Sequence, residues 1–214
     1  MPRNRHRRLS PRMNTRLSKL MALLLRHQPE LAGIQLDERG ATDIDAFASA
    51  VSRMPRWEFI RREHIVELVR SCPRGRFEID EQANTVRACY GHSLPQPVRY
   101  EPAEPPEKLY HGTSPDDVES IRWGGLQPMG RQYVHLSATP RLAHEVGSRH
   151  TDSPVVTVID AIAAHRDGIA FHRATDQIWL VKEVPGQYIL EWDAQGAPPE
   201  EDAPDASEDE QPES

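Results

Sequence analysis

The stretch Pro95-Gln-Pro-Val-Arg-Tyr-Glu-Pro-Ala-Glu-Pro-Pro106 divides the folded part of this chain almost in half. Proline lacks an amide donor and fixes its own φ angle, so a segment this rich in proline is unsuited to a helix or a central strand. Such a segment is typical of a semi-rigid connector. We therefore predict two lobes, at 14–97 and 108–192, joined by a linker at 98–107.

Both ends of the chain carry charge of a single sign. Residues 1–16 contain six arginines and no acid, whereas residues 193–214 contain nine acids and no lysine or arginine. The net charge of −7 hides this segregation and therefore says little about the binding partner. Segments of one charge sign with few apolar residues rarely fold, so we predict a disordered basic tail at 1–13 and a disordered acidic tail at 193–214.

The composition is that of a soluble globular protein, with 37% apolar and 28% charged residues. The longest apolar run, Leu20–Leu25, is too short to span a bilayer or to form the core of a signal peptide. Cys72 and Cys89 do not form a CxxC pair, so the sequence supports neither a disulfide framework nor a structural zinc site. We expect a cytoplasmic protein that binds neither a membrane nor a metal.

The first lobe is predicted to contain three helices followed by a β-hairpin. Leucines between 17 and 25 recur at helical spacing, and this helix must end before Pro29. Similar spacing predicts helices at 44–54 and 62–71, and a hairpin follows between 76 and 89. This order is the winged-helix pattern, a frequent nucleic-acid-binding scaffold, although a fold alone does not establish a function.

The second lobe is predicted to be rich in β-structure, which makes the whole chain an α+β protein. Helices are expected at 115–123 and 140–149. Strands are expected at 108–111, 133–136, 155–159, 178–181 and 188–192.

Three short clusters place charged or hydrogen-bonding side chains beside helix or strand ends. In Leu24-Leu-Arg-His27 a guanidinium and an imidazole end an apolar helix, where capping by cations is the structural alternative. In Arg74-Gly-Arg-Phe-Glu-Ile79 the glycine allows a turn that aims Arg76 from a strand, where a surface hairpin arginine is the alternative. In Tyr110-His-Gly-Thr113 a glycine lets a ligand approach the backbone, although an ordinary strand-end turn would look the same.

The fourth cluster is longer and more specific: Gly124-Gly-Leu-Gln-Pro-Met-Gly-Arg-Gln-Tyr-Val-His-Leu-Ser137. It combines glycines and Arg131 with a histidine and a serine two residues apart, which face the same side of a strand. An ordinary core strand has little use for that pair. The pattern therefore favours a binding role for His135 and Ser137 over a purely structural histidine.

Taken together, the clusters resemble the RNA 2'-phosphotransferases that act on NAD. The shared motifs run in order from about Leu17 to Leu190: Leu-Ser-Lys-Leu followed by Leu-Leu-Arg-His, Leu-Asp-Glu-Arg-Gly, Gly-Arg-Phe-Glu-Ile, Val-Arg-Ala-Cys-Tyr-Gly-His-Ser, Tyr-His-Gly-Thr, and the Gly-Leu to Leu-Ser stretch of the fourth cluster. Chance does not produce so many motifs in one order.

The resemblance implies an N-terminal winged-helix lobe for RNA and a C-terminal ADP-ribosyltransferase-like lobe for NAD. It places the catalytic set on Arg26, His27, Arg76 and Arg131. It places the NAD contacts on His111, Gly112, Thr113, His135 and Ser137.

The reaction implied by the resemblance transfers an internal RNA 2'-phosphate to NAD through an ADP-ribosylated RNA. Its products are RNA with a 2'-hydroxyl, ADP-ribose 1'',2''-cyclic phosphate and nicotinamide. The implied partners are a tRNA-like RNA and NAD, without a metal, and we expect a monomer.

One position agrees with the pattern of this family, and two short stretches depart from it. Ile178 stands where many ADP-ribosyltransferases have a catalytic glutamate, as it does in the phosphotransferase family. Cys89-Tyr90 replaces the usual Asn-Gln, and Ala41 replaces a tryptophan, so we expect altered RNA binding or substrate preference. The alternatives are an inactive RNA-binding module, a transferase that caps terminal phosphates of nucleic acid and stops at the first step, and a protein-modifying transferase.

Overall fold

A computed structural model describes residues 8–72 and 75–193 of the protein. In these residues helices and strands are arranged around two antiparallel sheets, so the predicted α+β class is confirmed. The smaller sheet lies in the N-terminal half of the chain, and its strands follow in the order Ala41–Asp43, Thr85–Ala88, Phe77–Asp80. The larger sheet lies in the C-terminal half, and its strands follow in the order Phe171–Arg173, Ile178–Val181, Val134–Ser137, Lys108–Thr113, Val155–Asp160, Ile189–Asp193.

The N-terminal half contains three helices and three short strands. Its elements are α1 (Pro11–Arg26), β1 (Ala41–Asp43), α2 (Ile44–Ser52), α3 (Arg62–Arg70), β2 (Phe77–Asp80) and β3 (Thr85–Ala88). The helices bury Leu24, Phe47 and Ile65 in one apolar core, as their spacing predicts. The predicted hairpin is the β2–β3 pair, in which Phe77 opposes Ala88.

Side-chain caps explain where the first two helices begin. Ser10 accepts the Met13 N–H at 3.3 Å, and Pro11 occupies the first turn of α1, where its missing N–H costs nothing. The carboxylate of Asp43 accepts the first amides of α2. The predicted basic tail at 1–13 is therefore wrong for residues 11–13, which are helical, and residues 1–7 lie outside the described part.

Strand β1 was not predicted. It pairs antiparallel with β3, so that Ala41 opposes Arg87 and Asp43 opposes Thr85. A strand of three residues is too short to show an alternating pattern, and its pairing partner lies more than forty residues away. Ala41 lies in this strand with 7% of its surface exposed.

The C-terminal half contains six strands and three helices in the part of the chain that the structure describes. They are β4 (Lys108–Thr113), α4 (Val118–Gly124), β5 (Val134–Ser137), α5 (Pro140–Gly147), β6 (Val155–Asp160), α6 (Ala161–Arg166), β7 (Phe171–Arg173), β8 (Ile178–Val181) and β9 (Ile189–Asp193). The five predicted strands are present, whereas β7 and α6 were not predicted. Asp193 ends β9 rather than opening a tail, and 194–214 lie outside the described residues.

The proline-rich connector has no helix or strand between 91 and 107. Its backbone is nevertheless bonded to both halves, because the Arg99 N–H donates to the Glu38 carbonyl and the Ala103 N–H to the Phe171 carbonyl, each at 2.8 Å. Tyr100 also packs edge-on against Tyr133 at 5.4 Å between ring centroids. The connector therefore lies against both halves of the chain.

None of the helices in the described residues is both long enough and apolar enough to cross a membrane.

Candidate active site

Arg26 is the last residue of α1, and two aromatic rings hold its guanidinium. The carbon of that guanidinium lies 5.0 Å from the Tyr90 ring centroid and 5.7 Å from that of Phe77. Its Nε is buried and has no hydrogen-bond partner among the described residues. Burial lowers the pKa of Arg26, and the charges of Arg76 and Arg131 lower it further, but arginine stays protonated in proteins.

His27 follows Arg26 as the C-terminal cap of α1. Its backbone N–H donates to the Leu23 carbonyl at 3.1 Å, while its ring turns towards Ser93, with Nδ1 2.8 Å from Oγ. Partial burial lowers the pKa of His27, as do the charges of Arg26 and Arg131. The imidazole is therefore neutral at physiological pH, and a cationic cap on the helix does not explain it.

Arg76 precedes β2 and approaches Arg26 from the hairpin. Its Nη1 donates to Ser18 Oγ at 3.4 Å, and its carbonyl accepts from Arg26 Nη2 at 3.5 Å. Gly75 has a φ of +51°, in the left-handed region that favours glycine. The predicted turn before Arg76 is confirmed, and it lies against Thr175 of the C-terminal half.

Arg131 lies exposed in the loop before β5 and brings a third guanidinium to the same region. Its Nη1 is 3.4 Å from His135 Nδ1. Its charge acts on the ionisation of both Arg26 and His27. Within 8–72 and 75–193 no carboxylate forms an ion pair with any of these three arginines. The cluster is thus a concentration of positive charge with donors suited to a phosphate.

Two further histidines lie beside this cluster on adjacent strands. His111 Nδ1 is 3.0 Å from the His135 carbonyl, where β4 and β5 meet at the pair Tyr110 and Ser137. Burial lowers the pKa of His111, and burial together with the charge of Arg131 lowers that of His135 to about 3. Both rings are neutral at physiological pH.

One ring nitrogen of His135 contacts the arginine cluster and the other has no partner among the described residues. Nδ1 lies 3.4 Å from Arg131 Nη1. Nε2 is buried and has no hydrogen-bond partner in the part of the chain that the structure describes. His135 therefore has a buried polar atom available to a ligand next to the arginine cluster, and Ser137 lies two residues along the same strand.

The glycine and threonine of β4 are placed differently from the sequence interpretation. A Cβ on Gly112 would lie 1.9 Å from the Ala143 carbonyl oxygen of α5. The space beside the Gly112 Cα is therefore filled by α5, and a ligand approach to this strand stays a prediction for its other sides. The Thr113 hydroxyl donates to Asp117 at 3.4 Å.

Tyr90, Cys89 and Ile178, which the sequence analysis singled out, lie near or beside these groups. Tyr90 covers Arg26 and also meets the His135 ring edge-on at 5.8 Å between centroids. Burial raises the pKa of the Cys89 thiol to about 12, so this thiol is unreactive. Ile178 opposes Ser137 in the β5–β8 ladder and is 8% exposed.

Sequence reasoning missed the residues that support the site. Ser18 and Ser93 contact Arg76 and His27, and Gln132 bonds to the connector. All of them lie inside the motifs quoted above, but nothing local distinguishes them from surface serine or glutamine. Their partners are at least 34 residues away in the sequence, so only the folded chain reveals them.

Comparison with known proteins gives a consistent result. The family described as RNA 2'-phosphotransferase, Tpt1 / KptA family, matches residues 12–183. A probable RNA 2'-phosphotransferase of Acetivibrio thermocellus is 39% identical over 82% of this chain and 95% of its own length. One of Methanosarcina acetivorans is 37% identical over 81% and 82%, and one of Hahella chejuensis is 39% identical over 80% and 91%. With a match of this extent, the chain belongs to the RNA 2'-phosphotransferase family.

Proposed function

We propose that this protein removes an internal 2'-phosphate from RNA by transferring it to NAD. The observation that carries the proposal is a cluster of three guanidinium groups from both halves of the chain. Arg26 donates to the Arg76 carbonyl, and the charge of Arg131 acts on both Arg26 and the neighbouring neutral imidazole of His27. In the described residues no carboxylate pairs with any of the three. Such a cluster suits an oxyanion that already carries its charge. The four residues are Arg26, His27, Arg76 and Arg131.

The first step is displacement of nicotinamide. A 2'-phosphate oxygen attacks the ribose carbon that bears nicotinamide, the glycosidic bond breaks, and the RNA becomes ADP-ribosylated through its phosphate. The phosphate is already an anion, so this step needs positioning and charge stabilisation rather than deprotonation. A carboxylate at position 178 would repel the incoming phosphate, and the isoleucine there agrees with that requirement.

The second step does require movement of a proton. The neighbouring 2''-hydroxyl attacks the phosphorus, and the bond between phosphorus and the RNA 2'-oxygen breaks. The proton of the attacking hydroxyl is lost, and the RNA oxygen gains one as it leaves. A neutral His27 is suited to this exchange, while the arginines stabilise the phosphate.

The residues proposed for NAD fit a nucleotide to different degrees. His135 supports the assignment best, because its buried Nε2 has no partner among the described residues. His111 and Ser137 lie on the adjoining strands, whereas Gly112 and Thr113 support that region through α5 and Asp117. When bound, NAD supplies the ribose carbon and the hydroxyl that accept the phosphate.

We assign the N-terminal half, 14–97, to a winged-helix RNA lobe and 108–192 to an ADP-ribosyltransferase-like NAD lobe, with 98–107 as the linker. Three helices and a hairpin, followed by a six-stranded antiparallel sheet, support that division. The proposal requires no metal, because guanidinium charge takes the place of a magnesium ion. We therefore expect full activity of the monomer in excess EDTA.

The test is to incubate the protein with NAD and an RNA that carries one internal 2'-phosphate, and to separate the products. We expect nicotinamide, ADP-ribose 1'',2''-cyclic phosphate and 2'-hydroxyl RNA in equal amounts. Stable ADP-ribosylated RNA would instead indicate a transferase that stops at the first step. RNA binding without release of nicotinamide would indicate an inactive binding module.

A further inference from the structure

Among the described residues, the side chain of Gln132 forms hydrogen bonds with the backbone of residues 94–98, where the connector begins. Its Oε1 accepts the Val98 N–H at 2.9 Å, and its Nε2 donates to the carbonyls of Leu94 and Gln96 at 2.9 and 2.8 Å. Its own backbone N–H donates to the His92 carbonyl at 3.1 Å. Both donors of the amide are used, so Gln132 fastens the loop before β5 to the connector.

The segment that Gln132 holds, residues 92–98, also touches the catalytic end of α1. Ser93 Oγ lies 2.8 Å from His27 Nδ1, and the Ser93 N–H donates to the Arg26 carbonyl at 3.0 Å. Gln132 directly follows Arg131 in the chain. A continuous path of covalent and hydrogen bonds therefore runs from His27, through 92–98, to Arg131.

We propose that Gln132 is a positioning residue that sets the distance between Arg131 and His27. The inference rests on the proposed function, because it assigns Gln132 to the phosphate transfer. Arg131 is exposed, and in the described residues its side chain forms one hydrogen-bond contact, the 3.4 Å contact with His135. The position of its guanidinium therefore depends on the backbone that Gln132 anchors.

The kinetic test compares Gln132→Ala with Gln127→Ala in the same loop. Gln127 is exposed, and within the described part of the chain its amide makes only the long contacts of 3.5 Å to the Gly124 carbonyl and 3.4 Å to Glu183. Misplacing a reacting group by an ångström lowers rates by about 10²-fold, so we expect Gln132→Ala to lower kcat by about 10- to 100-fold with little change in either KM. Gln127→Ala should keep the parental kcat.

A double-mutant cycle separates positioning from a general effect on folding. If Gln132 acts through Arg131, then adding Gln132→Ala to the Arg131→Ala variant should not lower kcat any further. If the fold-loss in kcat of the double variant equals the product of the fold-losses of the two single variants, the inference is wrong. Gln132→Glu provides a second variant, since it keeps the length and the acceptor for Val98 but cannot donate to the two carbonyls.

A second readout does not depend on activity. The charge of Arg131 lowers the pKa of His27, so NMR titration should show that pKa rising in Arg131→Ala. We expect Gln132→Ala to raise it in the same direction, and Gln127→Ala to leave it unchanged. If the pKa of His27 in Gln132→Ala equals that of the parental protein, the inference about Gln132 is wrong but the proposed function is unaffected. If the parental protein does not turn over 2'-phosphorylated RNA with NAD, the proposed function is wrong.

Discussion

Arg26 owes its position to aromatic rings rather than to a carboxylate. Stacking against Phe77 and Tyr90 orients the guanidinium plane, while an ion pair would occupy the donors and neutralise the charge. Tyr90 is one of the residues at which the sequence predicts a departure from the usual family pattern. The aromatic ring at this position therefore contributes directly to the geometry of the arginine cluster.

Replacing Arg26 with lysine should remove both the stacking and the two parallel donors. By analogy with loss of one oxyanion donor, we expect a loss of about 2.7–4 kcal/mol in transition-state stabilisation, or about 10²- to 10³-fold in rate. The matched control is Arg16→Lys, since Arg16 lies on the same helix over Trp57 at 5.8 Å. Steady-state kinetics with 2'-phosphorylated RNA give the measurement, and equal rates for Arg26→Lys and the parent would contradict the role of Arg26.

His27→Ala should affect the second step more than the first, because the second step needs a proton acceptor. We expect ADP-ribosylated RNA to accumulate in single-turnover reactions while nicotinamide is still released. His150→Ala, a change at an exposed histidine, serves as the control. Turnover of His27→Ala at the parental rate would show that the assignment of His27 is wrong.

At the level of elements, the packing of α5 against β4 holds the histidine strand in place. Gly112 and Gly147 allow this close approach, since a Cβ on Gly147 would lie 3.4 Å from the Gly112 Cα. Thr139 caps the first turn of α5 by accepting the Leu142 N–H at 3.3 Å. The helix thus supports the strand that carries His111.

Gly112→Ala should destabilise the protein, because its new methyl group would overlap the Ala143 carbonyl. Overpacking of this kind lowers the free energy of unfolding by about 1–3 kcal/mol. Gly124→Ala is the control, since nothing lies within 4 Å of that position at the end of α4. Urea denaturation of both variants gives the comparison, and equal midpoints would contradict the packing argument.

Across the whole molecule, the connector buries a histidine between the two halves. His92 is 2% exposed, and its Nδ1 lies 2.9 Å from the Tyr100 hydroxyl. Burial lowers the pKa of His92 to about 4, with a further contribution from the charge of Arg26. Between about pH 4 and 6.5 the His92 ring is therefore neutral in the folded protein, whereas it would be protonated in the unfolded chain.

The folded state should lose stability as the pH falls from about 6.5 to about 4. In that interval the unfolded chain takes up a proton on His92 and the folded protein does not, so each pH unit costs about 1.4 kcal/mol for this residue. Below about pH 4 both states are protonated and the loss from His92 ends. We expect His92→Gln to show a shallower dependence of unfolding free energy on pH, and an unchanged slope would contradict a neutral buried ring.

Local patterns were sufficient for all the α-helices except α6, for most strands and for recognition of the family. Apolar spacing and caps act over a few residues, which is why α1, α2 and the β2–β3 hairpin can be predicted from the amino-acid sequence. Ser10-Pro11 is also a local signal for a helix start, but the run of arginines around it led to the prediction of a disordered tail there.

Long-range contacts were required for the remainder. Strand β1 exists because β3 pairs with it, and Gly112 is glycine because α5 packs there. The approach of Arg131 to Arg26 and Arg76 depends on how the connector docks on both halves, and no local spacing encodes that docking. The chain supplies the reactive groups, while hydrogen bonds and packing between distant segments set the distances between them.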